Sequence, residues 1–373
     1  THMIRAILLA AGKKVGMIGT TGTVIGYVVT PTLNTTPESY ELHQAFAQMV
    51  EAGCEYAVME VSSQGIKMHR TDGLYFNYAI FTNISPDHIG PGEHADFEEY
   101  LYYKTRLLNM CGIGLVNKDD EHAPQIIKAA NCELYTYSEE SKEADFVASD
   151  IRYVSQPDFV GTEFHISGKY DMEVRLGIPG LFNVVNALAA VSVCSFLGLD
   201  QARISHALEN IRVNGRMEIV YTSERCTVLV DYAHNAVSME SLLSTLRDYK
   251  PKRLVCVFGC GGNRSKDRRY SMGEIGGKMA DLSIITADNS RYEKVEDIIA
   301  DIRGSIEKTG GKFIEIPDRR EAIRYSILHA QPGDMVAVIG KGHEDYQEIN
   351  GVRHHFLDRE VIEETVKELG EKA

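Results

Sequence analysis

The sequence predicts an α/β protein of two domains, each built around a parallel sheet. Three observations carry this. Short apolar runs alternate with segments of helical period in both halves of the chain. The rhythm breaks between about 145 and 180, then resumes after Gly215. Polar residues gather just past the ends of the apolar runs, where open α/β sheets bind ligands.

Residues 3–12 read as a helix that Gly12 ends as a C-cap, and Lys13 to Gly19 as a short strand. Residues 38–52 have helical period, with Thr36 or Pro37 placed to start them. Tyr56 to Val61 and Tyr78 to Asn83 read as buried parallel strands. A helix over 96–110 and a strand from Gly114 to Asn117 follow. The Gly-punctuated segments of 145–180 predict an antiparallel patch, and Asn183 to Leu197 a strongly apolar helix. Cys226 to Asp231, Arg253 to Phe258, Leu282 to Thr286 and Met335 to Ile339 predict strands, with helices at 236–248, 269–280, 293–308 and 318–329. That second rhythm suffices for a doubly wound domain, which places the boundary near 211–214: domains 1–212 and 213–373. Two such domains invite a site in the cleft between them.

The 373 residues, 44% hydrophobic and 25% charged, can form two buried cores. Lys+Arg 39 against Asp+Glu 53 gives a net charge of −14, which disfavours wrapping nucleic acid. No run approaches the roughly 18 apolar residues of a membrane span, and Thr1-His-Met-Ile-Arg is no secretory signal. Seven scattered cysteines with no C-x-x-C pair fit reduced thiols. A cytoplasmic protein is expected, without a nucleic-acid or membrane partner.

Six strand ends carry chemistry: Glu60, Ser62 and Ser63; Asn83, Ser85, Asp87 and His88; Asp231 and His234; Asn263 and Arg264; Asp288, Asn289 and Arg291; Lys341, His343 and Glu344. Each has an ordinary reading. Glu60 could be solvated or cap a helix, His88 could serve a turn, and Lys104 could be a surface lysine. The Gly-rich turn 259–262 could be only a tight strand-to-helix turn. Arg291 and Glu344 together suit the carboxylate and ammonium of an amino acid. His354 and His355 read as surface residues, since no zinc spacing accompanies them. The phosphate-cradling G-x-x-x-x-G-K-[ST] is absent from the sequence.

Nine segments in order resemble the Mur ligase family, and within it the UDP-N-acetylmuramoyl-tripeptide synthetases (the MurE type). They are Asn34-Thr-Thr-Pro-Glu-Ser39, Met59-Glu-Val-Ser-Ser-Gln-Gly65, Phe81-Thr-Asn-Ile-Ser-Pro-Asp-His88, Phe182-Asn-Val-Val-Asn186, Gly215-Arg-Met-Glu218, Val230-Asp-Tyr-Ala-His234, Gly259-Cys-Gly-Gly262, Asp288-Asn-Ser-Arg291 and Gly340-Lys-Gly-His-Glu344. The resemblance implies a central P-loop-type ATPase domain followed by a Rossmann-like C-terminal domain. It also implies a monomeric enzyme of peptidoglycan precursor synthesis. ATP phosphorylates a substrate carboxylate, and an amino acid's amine attacks the acyl phosphate to give an amide. The acceptor would be UDP-N-acetylmuramoyl-L-alanyl-D-glutamate, with Mg²⁺ offsetting the accumulating charge.

Position by position, the resemblance implies metal-binding and catalytic roles for Glu60, His88 and Lys104, the last carbamylated. It implies contacts to the UDP-sugar-peptide from Thr35, Thr36, Ser62 and Arg70. Nucleotide contacts would come from Asn183, Asn186, Arg216, Asp231 and His234. The incoming amino acid would meet Arg264, Asn289, Arg291, Gly340 and Glu344. In the family, Asp-Asn-Pro-Arg accompanies meso-diaminopimelate, whose distal carboxylate the Arg grips. Here the segment reads Asp-Asn-Ser-Arg, keeping the Arg and losing the Pro, so meso-diaminopimelate is expected over L-lysine. Ser-Pro-Asp-His and Ser-Ser-Gln also depart from the commoner Ser-Arg-Asp-His and Ser-Ser-His.

The chain starts where the helix after the family's phosphate loop should start. The expectation is therefore a central domain incomplete at its N-terminus, lacking the UDP-binding domain and phosphate loop, with little ligase activity by itself. Other readings stay open at this stage. Folylpolyglutamate synthase is the nearest, opposed by the Thr-Thr-Pro and Asp-Asn-Ser-Arg segments. A Rossmann oxidoreductase lacks its G-x-G-x-x-G here. A non-catalytic Mur-ligase-like binding module is the third.

Overall fold

A computed structural model of the chain describes residues 1–86, 88–90 and 92–370. They divide into two compact units, Thr1–Arg152 with Glu163–Leu176 and Phe182–Ile211, and Tyr153–Thr162 with Gly177–Leu181 and the chain from Arg212 onward.

The first unit opens with α1 (His2–Ala10), which buries Met3, Ile7 and Leu8, and β1 (Val15–Gly19). Gly12 joins them at φ 77°, a left-handed conformation that suits glycine. Next come β2 (Gly22–Ile25), β3 (Val28–Thr30), α2 (Ser39–Glu51), β4 (Tyr56–Met59), α3 (Ser63–Lys67) and β5 (Phe76–Phe81). Then follow α4 (Phe97–Arg106), β6 (Cys111–Asn117), α5 (Ala123–Ala129), β7 (Glu133–Ser138), β8 (Phe146–Gln156), β9 (Phe159–Gly168), β10 (Met172–Leu176), α6 (Leu181–Phe196) and α7 (Gln201–Glu209), of which the end of β8, the start of β9 and Leu181 count with the second unit. One sheet has the order β3-β2-β1-β4, with β1 parallel to β4 and antiparallel to β2. The other runs β10-β9-β8-β7-β6-β5 and is parallel from β5 through β8. Only two residues join β8 to β9 and three join β9 to β10, too few for a crossover, so these neighbours are antiparallel.

The second unit contains β11 (Glu218–Thr222), β12 (Cys226–Asp231), α8 (Ala236–Asp248), β13 (Arg253–Phe258), α9 (Asp267–Met279), β14 (Leu282–Ile285) and α10 (Val295–Thr309). It continues with β15 (Phe313–Glu315), α11 (Arg319–Leu328), β16 (Asp334–Ile339), β17 (Tyr346–Ile349), β18 (Val352–His355) and α12 (Asp358–Glu368). Its sheet order is β11-β12-β16-β13-β14-β15, parallel except for β11. The central strands β12, β13 and β16 are buried on both faces, with Val228, Val230, Val257, Ile284, Val336 and Val338 in one core. β12, β13, β14 and β16 all release the chain at the same edge.

Several boundaries differ from expectation. The helix expected over 96–110 ends at Arg106, and β6 begins at Cys111 rather than Gly114. Gly114 belongs inside β6 because the Cys132 sulfur and a Leu134 methyl stand 2.8 Å from where its Cβ would be. The β2–β3 and β17–β18 hairpins have no counterpart among the elements expected from sequence. β3 and β18 are exposed throughout, so no alternating apolar face announces them. Among the described residues, no helix is long and apolar enough to cross a membrane.

Candidate functional site

Side chains of interest gather around Glu60 and Thr36 and around Tyr100 in the first unit, and around Asn289 in the second. In the first, β1 and β4 lie in parallel register from Val15↔Tyr56 to Ile18↔Met59, so the chain leaves both strands side by side. The Thr20 amide and hydroxyl donate to the Glu60 carboxylate at 3.1 and 2.8 Å, and the Thr1 hydroxyl donates at 3.2 Å. A Cβ on Gly19 would stand 2.8 Å from the Glu60 carboxyl carbon, so glycine there makes room for it.

Thr36 is the hub beneath. Its buried hydroxyl donates to the Glu60 carbonyl at 3.0 Å and accepts from the Ser62 amide at 2.9 Å. Arg70 donates to the Thr36 carbonyl at 3.2 Å and pairs with Glu38 at 2.7 Å. The hydroxyls of Thr35 and Thr20 are 3.1 Å apart. Ser62 caps α3, its hydroxyl accepting from Gly65 N at 3.0 Å. Thr35, Thr36, Glu60, Ser62 and Arg70 thus lie together.

His88 and Lys104 meet at Tyr100. The His88 ring stands edge-on to Tyr100 with centroids 5.9 Å apart, and the Lys104 ammonium lies 5.2 Å above the same ring. Lys104, on α4, also donates to the Asn83 carbonyl at 2.9 Å, while His88 Nδ1 is 3.3 Å from Glu93. His88 adopts φ 53°, a left-handed conformation that side chains rarely take and that functional sites often hold. Asp87 lies outside the described residues.

Among the described residues no three His, Cys, Asp or Glu side chains form a closed metal cage. The donors present still suit Mg²⁺, which keeps several waters and needs one or two protein oxygens plus substrate phosphates. The Glu60 carboxylate offers such oxygens, held in place by three hydroxyl and amide donors. Lys104 fits a metal only as a carbamate, since an ammonium offers no lone pair.

In the second unit the loops after β13, β14 and β16 interlock. A Cβ on Gly259 would lie 2.2 Å from the Thr286 carbonyl oxygen, and one on Gly262 would lie 1.9 Å from that of Ser290. The glycines therefore do more than turn the chain: they let backbone rest on backbone. Gly340, at φ 110°, brings the loop after β16 against Asp288.

Asn289 is the centre of this cluster. Its amide nitrogen donates to Glu344 at 3.0 Å, and its amide oxygen accepts from Lys341 at 3.3 Å and from Glu348 N at 2.9 Å. Two donors on the oxygen and an acceptor on the nitrogen fix which way the amide points. Lys341 is fully buried, 3.2 Å from Glu344 and 5.2 Å above the Tyr346 ring. Arg291 donates to the Gly262 carbonyl at 2.7 Å, and its Nε is 3.5 Å from Glu348. It too is left-handed, at φ 52°, and is clamped there as Arg291 N donates to Glu348 O and Asn350 N donates to Arg291 O. Arg264, which is exposed, approaches Gly261 from beside Arg291.

Below, Arg319 and Asp358 form a fully buried pair at 2.7 Å, and Arg319 also donates to the Ala287 and Ile339 carbonyls. The pair thus ties the ends of β14 and β16 together.

Arg216, Asp231 and His234 sit beside the Gly340–Glu344 loop. Gly215 packs so tightly that a Cβ would stand 2.1 Å from His343 N. Arg216 stacks 4.9 Å over Tyr232, and His234 Nδ1 is 3.0 Å from the Tyr232 carbonyl. Burial pushes the Asp231 carboxyl above the usual carboxylate range, opposed by hydrogen bonds from Met217 N and Ala233 N and by the charge of Arg216. Asn183, buried, and Asn186, exposed, lie on α6 in the other unit.

The sequence marks Lys341 only as a strand-end residue, and nothing in it marks Tyr346 or Glu348. His94 is fully buried, its Nε2 2.9 Å from the Ser63 hydroxyl and its ring against Tyr100 and Tyr103. A histidine in a Gly- and acid-rich loop carries no sequence sign of burial. Glu348 shows itself only through its hairpin.

Comparison with known proteins bears on the whole chain. Residues 1–194 match the Mur ligase middle domain, and residues 215–342 the Mur ligase glutamate ligase domain. The UDP-N-acetylmuramoyl-L-alanyl-D-glutamate–2,6-diaminopimelate ligase of Caldanaerobacter subterraneus subsp. tengcongensis is 39% identical over 99% of this chain and 75% of its own length. The ligase of the same name from Geobacillus thermodenitrificans is 38% identical over 99% of this chain and 76% of its own. A solved structure of a ligase with that name superposes with TM-score 0.78 at 33% identity, covering 100% of this chain and 77% of that one. Mycobacterium tuberculosis folylpolyglutamate synthase, at TM-score 0.63 and 18% identity over 91% of this chain and 85% of its own, shares the fold. With both domain models matched in order and relatives this similar across nearly its full length, the chain belongs to the Mur ligase family.

Proposed function

We propose that this protein is an ATP-dependent amide-bond ligase of peptidoglycan precursor synthesis. It joins a diamino acid, meso-diaminopimelate, to the D-glutamyl carboxylate of UDP-N-acetylmuramoyl-L-alanyl-D-glutamate. The observation that carries the reading is the Asn289–Arg291–Lys341–Glu344 cluster, a fork-shaped cation and a carboxylate held on interlocked loops. Such a pair can grip an amino acid at both its carboxylate and its ammonium ends. The names of the relatives that match nearly the whole chain point to the same substrates.

Phosphoryl transfer turns the poor carboxylate electrophile into an acyl phosphate, with ADP leaving. The diamino acid's amine then forms the C–N bond, the C–O bond to phosphate breaks, and the amine loses a proton. Glu60, His88 and a carbamylated Lys104 would hold Mg²⁺, which supplies positive charge against the phosphates. Thr35, Thr36, Ser62 and Arg70 position the UDP-linked dipeptide. On the family resemblance, Asn183, Asn186, Arg216, Asp231 and His234 are assigned to the nucleotide. Arg264, Asn289, Arg291, Gly340 and Glu344 orient the incoming amino acid, Arg291 taking its distal carboxylate.

The test supplies ATP, Mg²⁺ and the UDP-muramoyl dipeptide with meso-diaminopimelate, L-lysine or L-ornithine in parallel. It follows phosphate release and amide product. The 373-residue chain is assayed alone and with a segment carrying a G-x-x-x-x-G-K-T loop fused ahead of Thr1. Turnover with meso-diaminopimelate in preference to the other two is expected. Turnover with L-lysine instead would overturn the substrate assignment, and no amide product in either form would overturn the activity.

A further inference from the structure

Arg291 already has a carboxylate before any substrate arrives. Glu348, the third residue of β17, places Oε2 3.5 Å from Arg291 Nε. Its backbone is fastened to the same loop, since Glu348 N donates to the Asn289 side chain at 2.9 Å and Arg291 N donates to the Glu348 carbonyl at 2.9 Å. Glu348 therefore touches both Asn289 and Arg291, and neither composition nor strand-end spacing singles it out.

The geometry of the pair is specific. Arg291 spends Nη1 on the Gly262 carbonyl at 2.7 Å, while the ion pair with Glu348 runs through Nε at 3.5 Å, longer than a charge-assisted hydrogen bond. A guanidinium has five N–H donors in a planar fork. The Glu348 contact neutralises the charge without closing a bidentate pair, so Arg291 keeps donor capacity for a second carboxylate. An arriving carboxylate would then share one cation with Glu348 and feel its repulsion. A side chain ending in an ammonium would instead be drawn to Glu348 and repelled by Arg291.

We propose that Glu348 is a specificity-determining residue: its carboxylate competes for Arg291 and so sets how strongly the site prefers amino acids with a distal carboxylate over those without. The proposal rests on the reading of this cluster as the amino-acid site. As the chain stands, Glu348 holds that preference below what Arg291 alone would give.

The test is equilibrium binding of meso-diaminopimelate and of L-lysine, by calorimetry, to the chain and to Glu348→Gln. The substitution is isosteric, and the two backbone bonds of residue 348 do not depend on the side chain. Glu348→Gln is expected to bind meso-diaminopimelate about tenfold more tightly, the scale of one charge-assisted hydrogen bond. Lysine binding should be unchanged or weaker. The gain should vanish in the double variant Glu348→Gln/Arg291→Gln. Weaker binding of meso-diaminopimelate to Glu348→Gln would mean that Glu348 props Arg291 in place and would overturn the proposal. So would an unchanged ratio, a lack of binding to either protein, or a gain that survives loss of Arg291. Amide formation is read separately, so a chain that binds as expected but ligates nothing would defeat the functional reading and leave this one standing.

Discussion

Lys341, buried from solvent, donates to the side-chain oxygen of Asn289 at 3.3 Å, and its ammonium is 3.2 Å from Glu344. One cation from the loop after β16 thereby fixes the amide of a residue in the loop after β14. Lys341→Met keeps the apolar stem and removes the ammonium. It is expected to raise KM for the diamino acid about tenfold, the size of a lost hydrogen bond to a charged group, with KM for the UDP-linked dipeptide unchanged. Steady-state kinetics with each substrate varied separate this from general loss of fold, which would lower kcat alike for every substrate.

Glycines of the second unit divide by what surrounds them. Gly262→Ala would force a methyl into the Ser290 carbonyl, 1.9 Å away, and is expected to cost about 1–3 kcal/mol while moving Arg291. Gly304, inside α10, has nothing within 4 Å of a built Cβ. Gly304→Ala should gain about 0.5–1 kcal/mol from helix propensity. Chemical denaturation of both variants measures the contrast.

Arg319 and Asp358 are fully buried and paired at 2.7 Å. Asp358→Ala strands the guanidinium among the ends of β14 and β16, and a loss of about 3–5 kcal/mol is expected. The double variant Arg319→Met/Asp358→Leu should recover much of that loss, because the unpaired charge is what costs most. Unfolding midpoints of the three proteins decide it.

His94 titrates below an ordinary histidine, first because burial penalises its charged form and then because Lys67 and His88 repel it, with Glu99 and Glu93 opposing. The unfolded chain then binds a proton at a higher pH than the folded one. Stability from this group is complete above about pH 6.5 and falls as pH drops below it. His94→Gln should flatten that fall. Denaturation at pH 7.5 and pH 5.5 gives the comparison, and an equal drop in both proteins would count against it.

Lys104→Ala is expected to lower ligase turnover by about 100-fold or more, the scale of losing an electrostatic contributor at the reacting charge. Partial recovery with a short-chain carboxylic acid would mark the missing group as an anion. Intact-mass measurement in bicarbonate buffer reads the carbamate directly.

Much of the architecture was legible because both signals are local. The buried strands β12, β13, β14 and β16 are continuous apolar runs, and the helices between them carry a 3.6-residue period. The placement of Glu60, Asn289, Arg291 and Glu344 just past strand ends was legible because the apolar runs that precede them are local. The β17–β18 hairpin was not, since all of β18 is exposed and it is secured by backbone pairing with Arg291 rather than by apolar side chains. His94 was not, because its burial comes from Tyr100 and Tyr103 on α4, not from its neighbours in sequence.

By itself, then, the sequence determined the two α/β rhythms, the order of the nine motif segments and the residue types at the strand ends. Tertiary structure decided which of those ends touch and what holds them. Lys341 reaches Asn289 across 52 positions, and Glu348 reaches Asn289 across 59. Contacts at such separations depend on sheet order and on glycines that let backbones meet. A pattern read over neighbouring residues carries neither.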